Sequence, residues 1–392
     1  MKANRNLWVL VFICVINSLG FGIIVPLLYT YGKMFGLTGR TLGILTASFS
    51  VAQFFATPLL GALSDKFGRK PLLVISLAGT CISFLLFAEA RSLMVLFAAR
   101  ILDGLTGGNI SVAQAMVSDS STPENRAKNF GILGSSFAFG FIIGPAIGGL
   151  LSKYSLQVPF YFAAGISLIG VICSMIFLKE TNSTGKKSLQ EPNYGAIFIS
   201  LATILKRPVT GTAIFTGFLL TMAQFTMIIG FQTFSVDILK IDPTKMGWFF
   251  ACFSIVGIIA QLGVPWVTKT FSSKTLILSF STMFCFAAMF MAGFARGFML
   301  FAVCLTVYGL FNGLRNPMLN AIIADNNEKS EQGKVLGINQ SYASIGQTVG
   351  PITAGLAAGI SVHAVFFLSA LYILTALVFT FVLKSKQRKK NT

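Results

Sequence analysis

Three ionisable residues lie deep inside apolar sequence: Arg100 and Asp103 in one run, and Arg315 in another. Charge within a membrane-length apolar segment is costly, so such residues point to function. Counting inward from Leu93 at 1.5 Å per residue puts Arg100 roughly 10 Å and Asp103 about 15 Å along a helical span. Arg100, Asp103, Gly104 and Gly107 fall at i, i+3, i+4 and i+7, so the pair and the glycines share one face. Desolvation pulls a carboxylate placed there toward its neutral form, and Arg100 pulls it toward its charged form. That balance is what a proton coupler needs, and Asp103 with Arg100 is the candidate coupling site. A static ion pair that fastens the span to its neighbours is the other open reading. Arg315, flanked by Asn312, Asn316 and Pro317, has two open readings as well. It contacts an anionic or hydroxyl-rich substrate, or it bonds backbone carbonyls freed by the proline.

A second chemically loaded segment is Gly61-Ala-Leu-Ser-Asp65-Lys-Phe-Gly68-Arg69-Lys70-Pro71. Asp65 and Arg69 are four apart around a turn containing Gly68, and Asp119 is expected on the same membrane face. A network of Asp65, Arg69 and Asp119 could latch one conformation, because charge-assisted bonds are worth about 1–3 kcal/mol each. Gly61 and Arg126 are placed with it as gate residues; a plain basic turn is the alternative.

These groups need helices to hold them. Gly140, Gly144 and Gly148 at i, i+4 and i+8 give one helix a smooth face for close packing, and Pro145 bends it. The same signature returns 206 residues later around Gly346, Gly350 and Pro351. Ser118-Asp119 likewise matches Ala324-Asp325 at that offset, and Phe49-Ser50 with Lys70 matches Phe253-Ser254 with Lys274 at 204. The chain is therefore one unit copied in parallel, a recurring transporter plan. Both Gly-Pro segments are expected at the interface between the halves.

The chain has 54% hydrophobic and 11% charged residues, against about 25% charged in a soluble globule. Twelve stretches near the 20 residues needed to span a bilayer are expected near 7–31, 41–63, 72–90, 93–117, 129–152, 157–178, 209–233, 246–268, 275–295, 298–322, 335–359 and 363–383. Residues 1–183 and 209–392 form the two six-helix bundles, joined by a linker over 184–208, and no cleavable signal peptide is evident. With both termini in the cytoplasm, 21 of the 30 Lys and Arg fall on inner segments, as the positive-inside rule requires. The net charge of +18 then needs no nucleic acid. The basic tail Lys384–Lys390 meets anionic lipid instead.

Asn17, Gln53, Asn109, Gln224, Asn312, Arg315, Asn339 and Gln340 are polar candidates for a central cavity, with Phe21, Phe137 and Phe141 as apolar walls. The six cysteines are scattered singly and the single histidine, His363, has no cluster, so no metal site is expected. No nucleophilic triad and no phosphate-cradling loop are present, which argues against an enzyme.

The segment from Gly61 to Lys70 resembles the loop 2–3 motif of the major facilitator superfamily at every key position. With Arg100 and Gly104, Gly144-Pro145, and Leu19-Gly20 followed by Pro26, the chain resembles the twelve-helix drug:proton antiporters, including tetracycline exporters. It departs from them at Tyr29, where those exporters have a second proline, and its second copy of the loop has decayed to Lys269–Lys274. It also lacks the second-half carboxylates that many of them carry. The resemblance implies an all-α membrane fold of twelve helices in two pseudo-symmetric bundles, in which the loop motif steadies the outward-open state. Proton-coupled export of amphiphilic drugs by a monomer in a bacterial inner membrane is the expected function, with the proton gradient as energy source and no cofactor. The alternative is a facilitator or exporter of one metabolite, such as a sugar, siderophore or lipid.

Overall fold

The computed structural model of the chain describes residues 2–182, 194–271, 273–328 and 331–391. Among them every regular element is helical, the form in which one apolar segment satisfies its own backbone without water. The first part of the chain folds into α1 (Lys2–Lys33), α2 (Gly39–Phe67), α3 (Arg69–Ala88), α4 (Leu93–Thr106), α5 (Asn109–Asp119), α6 (Pro123–Leu151) and α7 (Val158–Phe177). It is followed by α8 (Tyr194–Ile204), α9 (Pro208–Thr233), α10 (Pro243–Leu262), α11 (Val264–Thr270), α12 (Lys274–Ala292), α13 (Phe298–Asp325), α14 (Gln332–Ala358) and α15 (Val362–Asn391).

Eleven spans among the described residues are long and apolar enough to cross a membrane. The remaining expected span corresponds to α14, long enough but diluted by Asn339, Gln340 and Gln347. Three local differences from expectation have simple causes. The fourth span is broken into α4 and α5 at Gly107-Gly108, where glycines weaken the helix. Part of the expected linker is the helix α8, whose Leu201 and Ile204 are buried; residues 184–193 of that linker lie outside the described residues. The seventh span runs past its expected end through a π-helical turn, Phe234–Ile238, so that half-buried Asp237 falls in its last turn.

The chain divides into two compact units, Met1–Leu37 with Ser48–Asn193 and Ile241–Ala251, and Thr38–Ala47 with Tyr194–Lys240 and Cys252–Thr392. In unit one α1 packs on α6 and α7, and α3 packs on α7, α4 and α5. In unit two α9 packs on α14 and α15, and α12 packs on α15 and α13. The duplication in the sequence is thus repeated as a duplicated packing scheme.

The glycine stripe sets the tightest contact of unit one. A Cβ on Gly144 would stand 2.6 Å from the Leu19 carbonyl oxygen and 3.0 Å from the Gly22 Cα, and one on Gly140 would strike Ser18 and Val15. This face therefore packs on α1 within its own unit, rather than only at the expected interface between the halves. Gly350 approaches Met222 of α9 in the same way. Farther along the same helices, Gly149 meets Gly247 inside unit one and Gly355 meets Gly43 inside unit two.

Candidate functional site

The buried pair of unit one lies on α4, whose start is capped by the Ser92 hydroxyl, which accepts from the Val95 N–H at 3.4 Å. Arg100 is 2% and Asp103 8% exposed. Nη1 of Arg100 stands 3.7 Å from Oδ2 of Asp103, close enough for charge attraction, and its Nε and Nη1 have no hydrogen-bond acceptor. Aromatic faces supply part of the missing support: the guanidinium lies 4.9 Å from the centre of the Phe49 ring and 6.0 Å from that of Phe87. Phe21 joins this group, tilted on Phe49 at 6.2 Å and stacked on Phe141 at 5.9 Å.

Immediately beyond Asp103 the helix breaks, and neighbouring side chains take up the freed carbonyls. Gln53 on α2 donates to the Gly107 carbonyl at 3.1 Å, and Ser76 on α3 donates to that of Thr106. Asn109, at the start of α5, donates to Asn17 of α1 at 3.2 Å. Asn17, Gln53 and Asn109 therefore fasten the broken span to α1 and α2. The buried carboxylate of Asp103 thus sits within one turn of the break between α4 and α5.

Unit two holds the second buried guanidinium, 2% exposed Arg315 on α13. Its Nη2 donates to the Tyr308 hydroxyl at 3.2 Å and to the Asn312 side chain, and the guanidinium lies 5.3 Å from the Tyr308 ring centre. Tyr308 in turn stacks on Phe253. Among the described residues Arg315 makes no ion pair. Asn339 on α14 donates to Asn320 on α13 at 3.2 Å, while Gln340 is exposed and Gln224 half-buried. Phe137 packs against the core built by Leu10, Leu77, Val112 and Met116.

The loop between α2 and α3 forms a charged network. Nη2 of Arg69 reaches Asp65 at 2.6 Å, Nε reaches Asp119 at 3.3 Å, and Nη1 donates to the Ser64 hydroxyl at 2.6 Å. The structure thus brings together Asp65, Arg69 and Asp119. It adds a member that the sequence did not reveal, Glu180 beyond α7. Its two carboxylate oxygens accept from the backbone N–H groups of Arg69 and Lys70, each at 3.0 Å, and so cap the start of α3. Burial raises the pKa of Glu180, but bonds from the N–H groups of Asn182, Lys70, Arg69 and Thr181 outweigh it and hold the carboxyl below the usual glutamate range. Gly68 has φ 101°, and a Cβ there would meet the Glu180 carboxylate at 2.6 Å, so both backbone and space call for glycine. Thr181 donates to Asp119, and Asn182 to the Asp65 carbonyl. Gly61 by contrast has open space at its Cβ position, and the Arg126 side chain lies outside the described ones. In unit two Lys274 and Asp325, at the positions that match Lys70 and Asp119, form an ion pair at 2.5 Å.

Of the residues missed, only Tyr308 had a sequence signal, since it precedes Arg315 by two helical turns. Glu180 lies 111 residues from its partner Arg69, and no local pattern announces that meeting.

The model of the Major Facilitator Superfamily matches residues 10–295 and 214–392. The chain belongs to that superfamily. It is 28% identical over 398 residues to Multidrug resistance protein 2 of Bacillus subtilis (strain 168), covering 99% of this chain and 98% of that protein. It is 27% identical to the class C tetracycline resistance protein of Escherichia coli over 90% of this chain and 89% of that one. Among solved structures, a bacterial homologue of the human lysosomal transporter Spinster, inward-facing and unoccupied, aligns with a TM-score of 0.83 at 12% identity, over 99% of this chain and 98% of the other. This likeness confirms the major facilitator fold. Family and fold make the chain a membrane transporter.

Proposed function

We propose that this transporter exports amphiphilic drugs across a bacterial inner membrane by alternating access, driven by protons moving inward. The substrate class is supported by relatives named for multidrug and tetracycline resistance that match over nearly the whole chain. The observation that carries the coupling is the buried Arg100–Asp103 pair beside the break in the fourth span.

In this scheme Asp103 takes a proton from the outer side as substrate leaves. The neutral carboxyl no longer attracts Arg100, whose charge rests on Phe49 and Phe87 while α4 and α5 shift about Gly107-Gly108. After reorientation the proton passes to the cytoplasm and the ion pair re-forms. The Asp65, Arg69, Asp119 and Glu180 network holds the inner ends of α2, α3, α5 and α7 together in one of the two states. Both termini lie in the cytoplasm in this reading, the orientation that the distribution of Lys and Arg favours. The test is uptake of tetracycline by inside-out proteoliposomes: a pH step should drive accumulation above the external concentration, and a protonophore should abolish it. Equal accumulation with and without the pH step would remove the proton from the scheme.

A further inference from the structure

The two units treat their buried guanidiniums differently. Each rests on an aromatic ring, Arg100 on Phe49 and Arg315 on Tyr308. Arg100 has a carboxylate 3.7 Å away, whereas no acidic side chain forms an ion pair with Arg315 among the described residues. Its only acceptors among the described residues, the Tyr308 hydroxyl and the Asn312 amide oxygen, are neutral and both take Nη2. Nε and Nη1 are buried and have no acceptor among the described residues, so three N–H bonds of a permanent cation are left unsatisfied. An ionised group buried in this state is strongly disfavoured until an anion joins it.

The surroundings show from which side that anion comes. Asn312, Arg315, Asn316 and Asn320 follow the helical spacing i, i+3, i+4 and i+8, so they form one polar stripe on α13. Asn312 is half-buried, and Asn316 and Asn320 are exposed. Asparagines facing lipid would be expensive, so an exposed stripe inside a spanning helix faces a water-filled cavity. Arg315 is its buried member. We infer that Arg315 and this stripe form a subsite for an oxyanion, the carboxylate of an amphiphilic substrate, which enters along the asparagines and completes the guanidinium. The inference rests on the transporter reading and narrows it to substrates that carry an acidic group; Asp103 has no part in the subsite.

The test uses the full chain in phosphatidylcholine nanodiscs and two probes of one shape, pyrenebutyrate and its neutral amide, with empty discs subtracted. The wild type should bind the acid roughly tenfold more tightly than the amide, as expected for a charge-assisted bond in a dry site. Arg315→Gln should lose this preference, and Arg315→Lys should keep part of it. Equal affinity of the wild type for acid and amide overturns the subsite, as does a preference that survives Arg315→Gln. If Arg315→Gln is not monodisperse, the wild-type preference and its change in Arg315→Lys decide. Replacing phosphatidylcholine by phosphatidylglycerol should leave the preference intact; its loss would reassign the site to a lipid phosphate and overturn the inference. Proton-driven tetracycline uptake without any preference for acid over amide would leave the transporter reading standing and this one refuted.

Discussion

At the scale of single residues the inner network makes the sharpest demands. Asp65→Asn removes one of the two carboxylates on Arg69 while keeping its shape. The partners are partly exposed, so the loss is about 1 kcal/mol, enough to shift two states of similar energy but not to unfold the chain. Insertion should be normal, transport slowed, and cysteine labelling on the two faces redistributed; wild-type transport with unchanged labelling would contradict a latch. Glu180 permits a test by pH. Its folded carboxyl titrates below the usual glutamate value, so its docking stabilises α3 at neutral pH and is lost as the pH falls through that lowered value. Glu180→Gln should speed amide exchange of Arg69 and Lys70 roughly fivefold at neutral pH, the equivalent of about 1 kcal/mol for a lost cap. The difference should fade in acid, and a difference that grows there would show the bonds to be independent of charge. Asp65, Arg69 and Asp119 were legible because the motif is local and one acid lies at a span end. Glu180 was not, because only tertiary folding brings the end of α7 to the start of α3.

At the scale of elements, the helices were legible from apolar length, and what escaped was their interruption. Gly107 reads in sequence as part of the face that it shares with Arg100, Asp103 and Gly104. The two glycines weaken the helix there, and Gln53 and Ser76 take up the Gly107 and Thr106 carbonyls that the break frees. The glycine stripe of α6 was legible as a packing face, though not its partner α1. Gly144→Leu forces a side chain into the backbone of α1, and overpacking of this kind costs about 1–3 kcal/mol or more. Lower thermal stability and a jammed or leaking carrier are expected. Gly134, on the same helix, has no neighbour within 4 Å of its Cβ position, so Gly134→Leu should be tolerated. Equal behaviour of the two variants in a thermal-shift assay would show that the α1–α6 approach does not matter.

At the scale of the whole molecule, duplication was the most legible feature, since matched offsets near 205 residues survive where individual motifs have decayed. The two copies have diverged in chemistry. Unit one keeps an acid beside its buried arginine and a four-membered charged network at one end, while in unit two, among the described residues, the buried arginine has no acid beside it and the ion pairs are the separate contacts Lys274–Asp325 and Arg207–Glu331. In the proposed scheme this asymmetry places proton handling in unit one, with Asp103 as the pivot of the transport cycle. It is tested most directly by comparing wild type and Asp103→Asn in proteoliposomes, with uphill accumulation under a pH step measured alongside downhill exchange without one. Asparagine preserves shape and hydrogen bonding but cannot titrate, so uphill accumulation should vanish while downhill exchange persists. Uphill accumulation at the wild-type level in Asp103→Asn would contradict a proton-carrying Asp103 and leave the pair with Arg100 a structural fastener.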